Sequence, residues 1–201
     1  MKKIGIMGGT FNPIHYGHLF LAENAYEQLG LDQILFMPSK NPPHKPKPEA
    51  ITDQQRVDMI NLAIGDNPHF ALSTLELERD GYTYTADTLR LLTEEQDEIR
   101  YYFIVGADSL FMMHRWYQPQ VIFDLCTVVA AGRDHVDDGK LIEQAGFLKE
   151  QYHGDIRLVK MPTIQIASED IRGRIAQNMT IRYYVPDRVA EYIDQNRLYH
   201  S

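Results

Sequence analysis

The chain has 201 residues, 44% hydrophobic and 24% charged, the balance of a globular protein with one well-buried core in which a second folding unit would have to be small. Its formal net charge of −8 excludes a surface built to grip a nucleic-acid backbone, which needs a Lys and Arg excess on at least one face, while leaving room for a small anion at a locally positive site. Cys126 is the only cysteine, so no internal disulfide can form, and the opening MKKIGIMGG breaks at glycines well short of a signal-peptide core; with no run long enough to span a bilayer, a cytoplasmic protein without a membrane partner is expected.

In chain order, Lys3 to Met7 reads as a short strand that breaks at Gly8-Gly9-Thr10, and a helix is predicted from Tyr16 to Leu29, closed by Gly30. The next strand, Gln33 to Met37, runs into PSKNPPHKPKPE, where five prolines from Pro38 to Pro48 interleave with Lys40, His44, Lys45 and Lys47. Proline removes a donor and restricts the residue before it, so this segment is a loop. Thr52 to Ile64 is a helix opened by the capping-box pattern Thr52-Asp53-Gln54-Gln55 and closed by Gly65. Phe70 to Leu77 is predicted as a strand, Asp87 to Leu92 as a helix, and Tyr101 to Val105 as a strand without apolar–polar alternation, as befits one covered on both faces. Ala107 to His114 is helical, Thr127 to Ala131 a strand with Cys126 as a buried residue at its start, Asp138 to Tyr152 a helix and Ile156 to Lys160 a strand. Helices at Ser168 to Gln177 and Pro186 to Gln195 finish the chain, the first with Ser168 as its N-cap and the second with proline at its first position. Strands alternating with helices imply an α/β fold with a parallel sheet, arranged as a single domain over 1–201.

In such a sheet ligands bind beyond the carboxyl ends of the strands. GGTFNPIHYGH follows the first strand, PSKNPPHK the second and GADS the strand YYFIV, so all three motifs fall on one rim. Gly8-Gly9-Thr10 lets the backbone approach a ligand closely, and the helix behind it offers a positive end to an anion. The spacing fits neither the dinucleotide fingerprint nor the P-loop. His15 and His18, three residues apart, share one face at the helix opening and can both address a phosphate chain as donors; as zinc ligands they lack a third partner with its own signature, and no metal site is expected. Ser168 and Arg172, one helical turn apart, form a second anion-binding candidate of amides, a hydroxyl and a guanidinium.

GGTFNPIHYGH, together with the later Ser-x-x-x-Arg, resembles the nucleotidyltransferase superfamily with the HxGH motif, a Rossmann-like doubly wound fold. MPSKNPPHK, YTADT after LERDG, IVGADS, RWY and the ending VPDRVAEYIDQNRLY narrow the resemblance to bacterial nicotinate-nucleotide adenylyltransferases, over Lys3 to Tyr199. Three segments depart from the family pattern: Asn12 stands for an aspartate, Ala167-Ser168-Glu169-Asp170-Ile171-Arg172 for a Ser-Ser-Thr-x-Ile-Arg run, and the small Ala86 lies within YTADT.

The resemblance implies adenylyl transfer from ATP to nicotinate mononucleotide in NAD biosynthesis, with Mg²⁺ carried by ATP. It implies that His15, His18, Lys45 and Arg172 act on the phosphates. Gly8, Gly9, Thr10, Phe11, Gly106, Asp108, Ile166, Ser168 and Ile171 would join His18 and Arg172 in holding ATP, with helices from about residue 168 completing that side. Thr10, Asn12, Lys45, Tyr84, Thr85, Asp108, Trp116 and Tyr117 would hold the acceptor, Trp116 by stacking on the pyridinium ring. Small-molecule substrates are the expected partners, with a homo-oligomer allowed. Two other readings stay open: an adenylyltransferase for the amidated nucleotide or another phosphate acceptor such as phosphopantetheine, and a nucleotide-binding regulator without chemistry. The proline-rich loop is a candidate lid.

Overall fold

The computed structural model describes residues 1–43, 51–95, 98–133, 138–162 and 164–200. Its elements are β1 (Lys2–Gly9), α1 (Tyr16–Leu29), β2 (Gln33–Pro38), α2 (Asp53–Ile64), β3 (Phe70–Leu72), α3 (Thr85–Glu95) and β4 (Ile99–Val105). There follow α4 (Ala107–Met112), a 3₁₀ turn (Met113–Arg115), α5 (Pro119–Leu125), β5 (Cys126–Arg133), α6 (Asp138–Tyr152), β6 (Ile156–Met161), α7 (Ser168–Ala176) and α8 (Asp187–Gln195). The strands form one parallel sheet in the order β3-β2-β1-β4-β5-β6, the doubly wound arrangement, whose order reverses between β1 and β4.

The strand residues are apolar on both sides because both sides are covered. In β4, Tyr102 and Ile104 join a core shared with α1, α2, α7 and α8, while Tyr101, Phe103 and Val105 join a second core with α3, α4, α5 and α6. Alternation of side-chain direction along a strand thus feeds two cores at once, which removes the polar positions a half-exposed strand would show.

Local chemistry sets the element ends. Thr52 Oγ1 accepts from the Gln55 amide at 3.2 Å while Gln55 Oε1 accepts from the Thr52 amide at 2.8 Å, the reciprocal box expected at the start of α2. Gly30 closes α1 in the left-handed region at φ 57°, where a Cβ would be strained.

Several expectations are corrected. The strand predicted over Phe70 to Leu77 ends at Leu72, because the Leu77 amide turns back onto the Thr74 carbonyl at 2.8 Å and Glu76 points inward to Thr88. The first strand continues through Gly8 and Gly9, which pair with Met37 and Pro38, so the chain leaves the sheet at Thr10. Ser168 is the first residue of its helix, the extended Ala167 being the cap, and Pro186 is likewise a cap. The helix after β4 tightens into a 3₁₀ turn at Met113, and α5 was not anticipated. Cys126 does open β5, buried, with its thiol donating to the Ile122 carbonyl at 3.1 Å and pushed up by burial to about 12, so it stays protonated.

Candidate active site

The carboxyl ends of β1 and β4 lie side by side where the strand order reverses, and the segments following them form the floor of the site. After β1 the chain runs Thr10 to His15 before α1 begins. His15 is the N-cap residue, extended at φ −151°, and His18 is the third residue of the helix; their rings stack at 3.7 Å. The expected pairing of the two imidazoles is therefore present, although one belongs to the cap and one to the first turn. Gly17 lies between them because a Cβ there would come within 3.0 Å of the His15 ring and 3.5 Å of the Ile166 carbonyl oxygen. The absent side chain leaves room for the His15 ring to pack over this turn.

The two rings differ in character. His15 is buried, and burial lowers its pKa from 6.5 to about 4, so it is a neutral imidazole near pH 7. His18 Nδ1 accepts from the His15 main-chain amide at 3.3 Å. An accepting Nδ1 carries no proton, which leaves the proton of the neutral ring on Nε2 as a donor.

The loop between β1 and α1 is gripped by elements remote in sequence. Arg172 Nη1 donates to the Asn12 carbonyl at 2.8 Å and Ser168 Oγ to the Pro13 carbonyl at 2.9 Å, so α7 is fastened to the loop that follows the first strand. The Ser168 hydroxyl proton is thereby engaged, and what Ser168 can still offer a phosphate is its main-chain amide. Asn12 is buried, with Oδ1 accepting from the Tyr199 hydroxyl at 2.7 Å. Thr10 is held through its carbonyl by Arg56 Nη1 at 2.9 Å. Phe11 and Ile171 are packed into the core, so any part they take in ligand contact is through the main chain. Phe11 sets its ring edge to face against His18 at 5.0 Å.

The second half of the site surrounds Trp116. A Cβ on Gly8 would lie 3.4 Å from the Phe103 ring, and Phe103 meets the half-buried Trp116 edge to face at 6.2 Å, so one ring separates the glycine strand end from the tryptophan. Tyr84, just before α3, packs its ring on Tyr117 at 4.4 Å, bringing Thr85 at the start of α3 against the segment after the 3₁₀ turn. Arg90 reinforces that contact by donating to Gln118, itself in the left-handed region at φ 47°. Beneath α3, Thr88 donates to the buried Glu76 at 2.7 Å and accepts from Arg79 at 3.0 Å. Burial raises the Glu76 pKa against the opposing pull of Thr88 and Arg79. Gly106 and Asp108 are exposed at the start of α4, with Asp108 in its first turn.

Lys40 is tied down rather than free in solvent: its Nζ donates to the Arg79 carbonyl at 2.9 Å and lies 3.5 Å from Asp80. Asn41 bonds the same segment through Gly81 at 3.0 Å. Lys45, His44 and Lys47 fall outside the described residues, and with them the second part of the candidate lid, from residue 44 on. Among the described residues no three His, Cys, Asp or Glu side chains gather to hold a metal ion, and no helix is long and apolar enough to cross a membrane.

Two residues of the site were missed in the sequence. Arg56 has no exposed surface, yet its signal was present: Arg56, Met59, Ile60, Ala63 and Ile64 follow the spacing of one helix face, which puts the arginine on the buried stripe. Tyr199 gave no such signal, being close to the end of the sequence and beyond the last periodic helix.

The chain is similar to known proteins over nearly its whole length. The cytidylyltransferase-like family model matches residues 6–174. A protein of Lachnoclostridium phytofermentans named as a probable nicotinate-nucleotide adenylyltransferase is 46% identical over 99% of this chain and 100% of its own. One from Clostridium botulinum with the same name is 37% identical over 99% and 98%. The solved structure of Plasmodium falciparum nicotinic acid mononucleotide adenylyltransferase complexed with NaAD superposes with a TM-score of 0.81 at 20% identity, covering 99% of this chain and 98% of that one, a likeness of fold. The chain belongs to the nicotinate-nucleotide adenylyltransferases, within the cytidylyltransferase-like nucleotidyltransferases.

Proposed function

We propose that this chain transfers the adenylyl group of ATP to nicotinate mononucleotide, giving deamido-NAD and pyrophosphate in NAD biosynthesis. The observation that carries it is the fastening of α7 onto the β1–α1 loop beside the stacked histidines, at the end of the strand whose Gly8 is separated from Trp116 by the Phe103 ring. The groups assigned to the phosphates thus follow a strand whose end lies near the Trp116 aromatic group. Relatives that share this name over nearly their whole length support the same reading.

In the reaction an oxygen of the acceptor phosphate forms a bond to the α-phosphorus of ATP, and the bond from that phosphorus to the bridging oxygen breaks as pyrophosphate leaves. The attacking oxygen is already ionised at neutral pH, so no side chain has to remove a proton. The protein's work is to hold the two groups in line and to place donors on the charge that builds on the leaving group. His18 Nε2, the main-chain amides of Gly9 to Phe11, the start of α7 and Arg172 are assigned to the triphosphate, with Gly106 and Asp108 on the ribose side and Lys45 as an added positive charge. His15 is assigned to orient His18 and supply one neutral donor. Thr85 and Tyr117 would dock the nicotinate carboxylate on main-chain amides while Trp116 stacks on the ring. Mg²⁺ is assigned to the substrate as MgATP, since it binds phosphate and water readily and no cluster of three carboxylate, His or Cys side chains gathers among the described residues. A single domain working in the cytoplasm, with the helices from α7 onward completing the ATP side, is part of the same proposal.

The test is pyrophosphate release with nicotinate or nicotinamide mononucleotide as acceptor. Turnover should favour the acid, and His18→Ala should lower kcat by roughly a hundredfold to a thousandfold in a folded protein. Preference for the amide would reassign the acceptor, and ATP binding without any dinucleotide product would make the chain a binding protein.

A further inference from the structure

We propose that Arg56 and Tyr199 are positioning residues for adenylyl transfer, holding the main chain from Thr10 to Asn12 from behind so that its outward-facing donors meet the ATP phosphates. The inference rests on the reaction assigned above and concerns residues that touch neither substrate.

Four donors from distant parts of the chain converge on three residues of the stretch Thr10 to Pro13. Arg56 Nη1 takes the Thr10 carbonyl at 2.9 Å, Tyr199 the Asn12 side-chain oxygen at 2.7 Å, Arg172 the Asn12 carbonyl at 2.8 Å and Ser168 the Pro13 carbonyl at 2.9 Å. The consequence follows from the peptide plane, in which a carbonyl and the next N–H point in opposite directions. Fixing the Thr10 carbonyl on Arg56 turns the Phe11 N–H away from α2, and fixing the Pro13 carbonyl turns the Ile14 N–H the same way relative to α7. The Asn12 carbonyl is followed by proline, which has no N–H to aim. There the loop is pinned a second time through its side chain, by Tyr199.

The holding groups are built in rather than adventitious. Arg56 is fully buried, is paired to Asp53 at 2.6 Å, and keeps its Nε without a partner among the described residues. An arginine taken out of water with an unmatched donor is costly, and hydrophobic residues of similar volume would pack this position at least as stably. Its guanidinium spans Asp53 on its own helix and Thr10 on the loop, a fork that a lysine cannot reproduce. Burial raises the Tyr199 hydroxyl well above its usual range while Arg172 and Arg56 pull it back, so both guanidinium groups lie close to this phenol. Through Thr10 and Asn12 the three side chains together back the loop from behind.

The experiment uses the full chain with Arg56→Lys and Tyr199→Phe, reading thermal unfolding, steady-state kinetics well below the transition, and the ¹H–¹⁵N signal of the Phe11 amide as ATP is added. Both variants should lose kcat by roughly tenfold to a hundredfold per folded molecule, with KM for the acceptor little changed. The ATP-induced shift of the Phe11 amide should differ from that of the wild type. Wild-type kcat in folded variants overturns the proposal, even if their stability falls, because that pattern is a purely structural role. If Arg56→Lys does not fold, Tyr199→Phe alone decides. If the wild type makes no dinucleotide, the assigned reaction fails separately, and the Phe11 signal then decides: the same ATP-induced shift in wild type and Tyr199→Phe overturns positioning.

Discussion

His15 shows how far a single residue's surroundings can depart from what its letter suggests. The spacing of His15 and His18 announced that two imidazoles would meet, but not that one of them would be sealed from water. Burial lowers its pKa from 6.5 to about 4, so on acidification the unfolded chain takes up this proton before the folded one does. The contribution to folding stability is complete above the unfolded value and is lost as pH falls from 6.5 towards about 4. A difference of that size corresponds to about 3 kcal/mol across the window. Urea midpoints of wild type and His15→Asn, compared between neutral pH and about 4, should converge on acidification; parallel curves would show that His15 is not held neutral. The glycines and the meeting of the two histidines were legible because each rests on local spacing, whereas the Ser168 hydroxyl and the Arg172 guanidinium, expected to face an anion, are engaged by the Pro13 and Asn12 carbonyls. The bonds from Arg56 and Tyr199 to the loop were not legible, since they join positions 10 and 12 to residues 46 and 187 places away.

At the scale of elements, end signals were read more securely than interiors. The capping box of α2 was visible as four letters and is present with both of its bonds. It also has a functional reach, because the Arg56 amide bonds back to the Thr52 carbonyl at 3.2 Å, which seats the arginine in the first turn of the capped helix. Thr52→Ala should therefore cost about 1 kcal/mol in chemical denaturation. The same substitution should reduce kcat slightly, through looser placement of Arg56; unchanged kcat beside the stability loss would separate the cap from the loop. Where the sequence misled, tertiary contacts won. Thr74 to Leu77 alternates polar and apolar like a strand, yet Glu76 turns in to meet Thr88 and the backbone folds over Thr74. The helix α5 went unread because Pro119–Leu125 is too short for two turns of periodicity, and its position is set by packing Ile122 and Phe123 into the second core.

Over the whole molecule, the sheet makes the two faces interdependent. Alternate residues of β4 serve opposite cores, and the first and last parts of the chain are joined through Asn12, so α7 and the segment after α8 cannot leave without releasing the loop between β1 and α1. This bears on how the protein should unfold. Trp116 is the only tryptophan and packs against the second core, whereas far-UV ellipticity reports helices on both faces. If the strands couple the cores as their alternation implies, fluorescence and ellipticity should follow one urea transition with a common midpoint. An earlier ellipticity loss with Trp116 unmoved would mean that α7 and α8 melt as a separate unit. In that case the donors from Ser168, Arg172 and Tyr199 would be withdrawn from the loop while the rest of the sheet stood, and adenylyl transfer would cease at a urea concentration where the tryptophan still reported a folded protein.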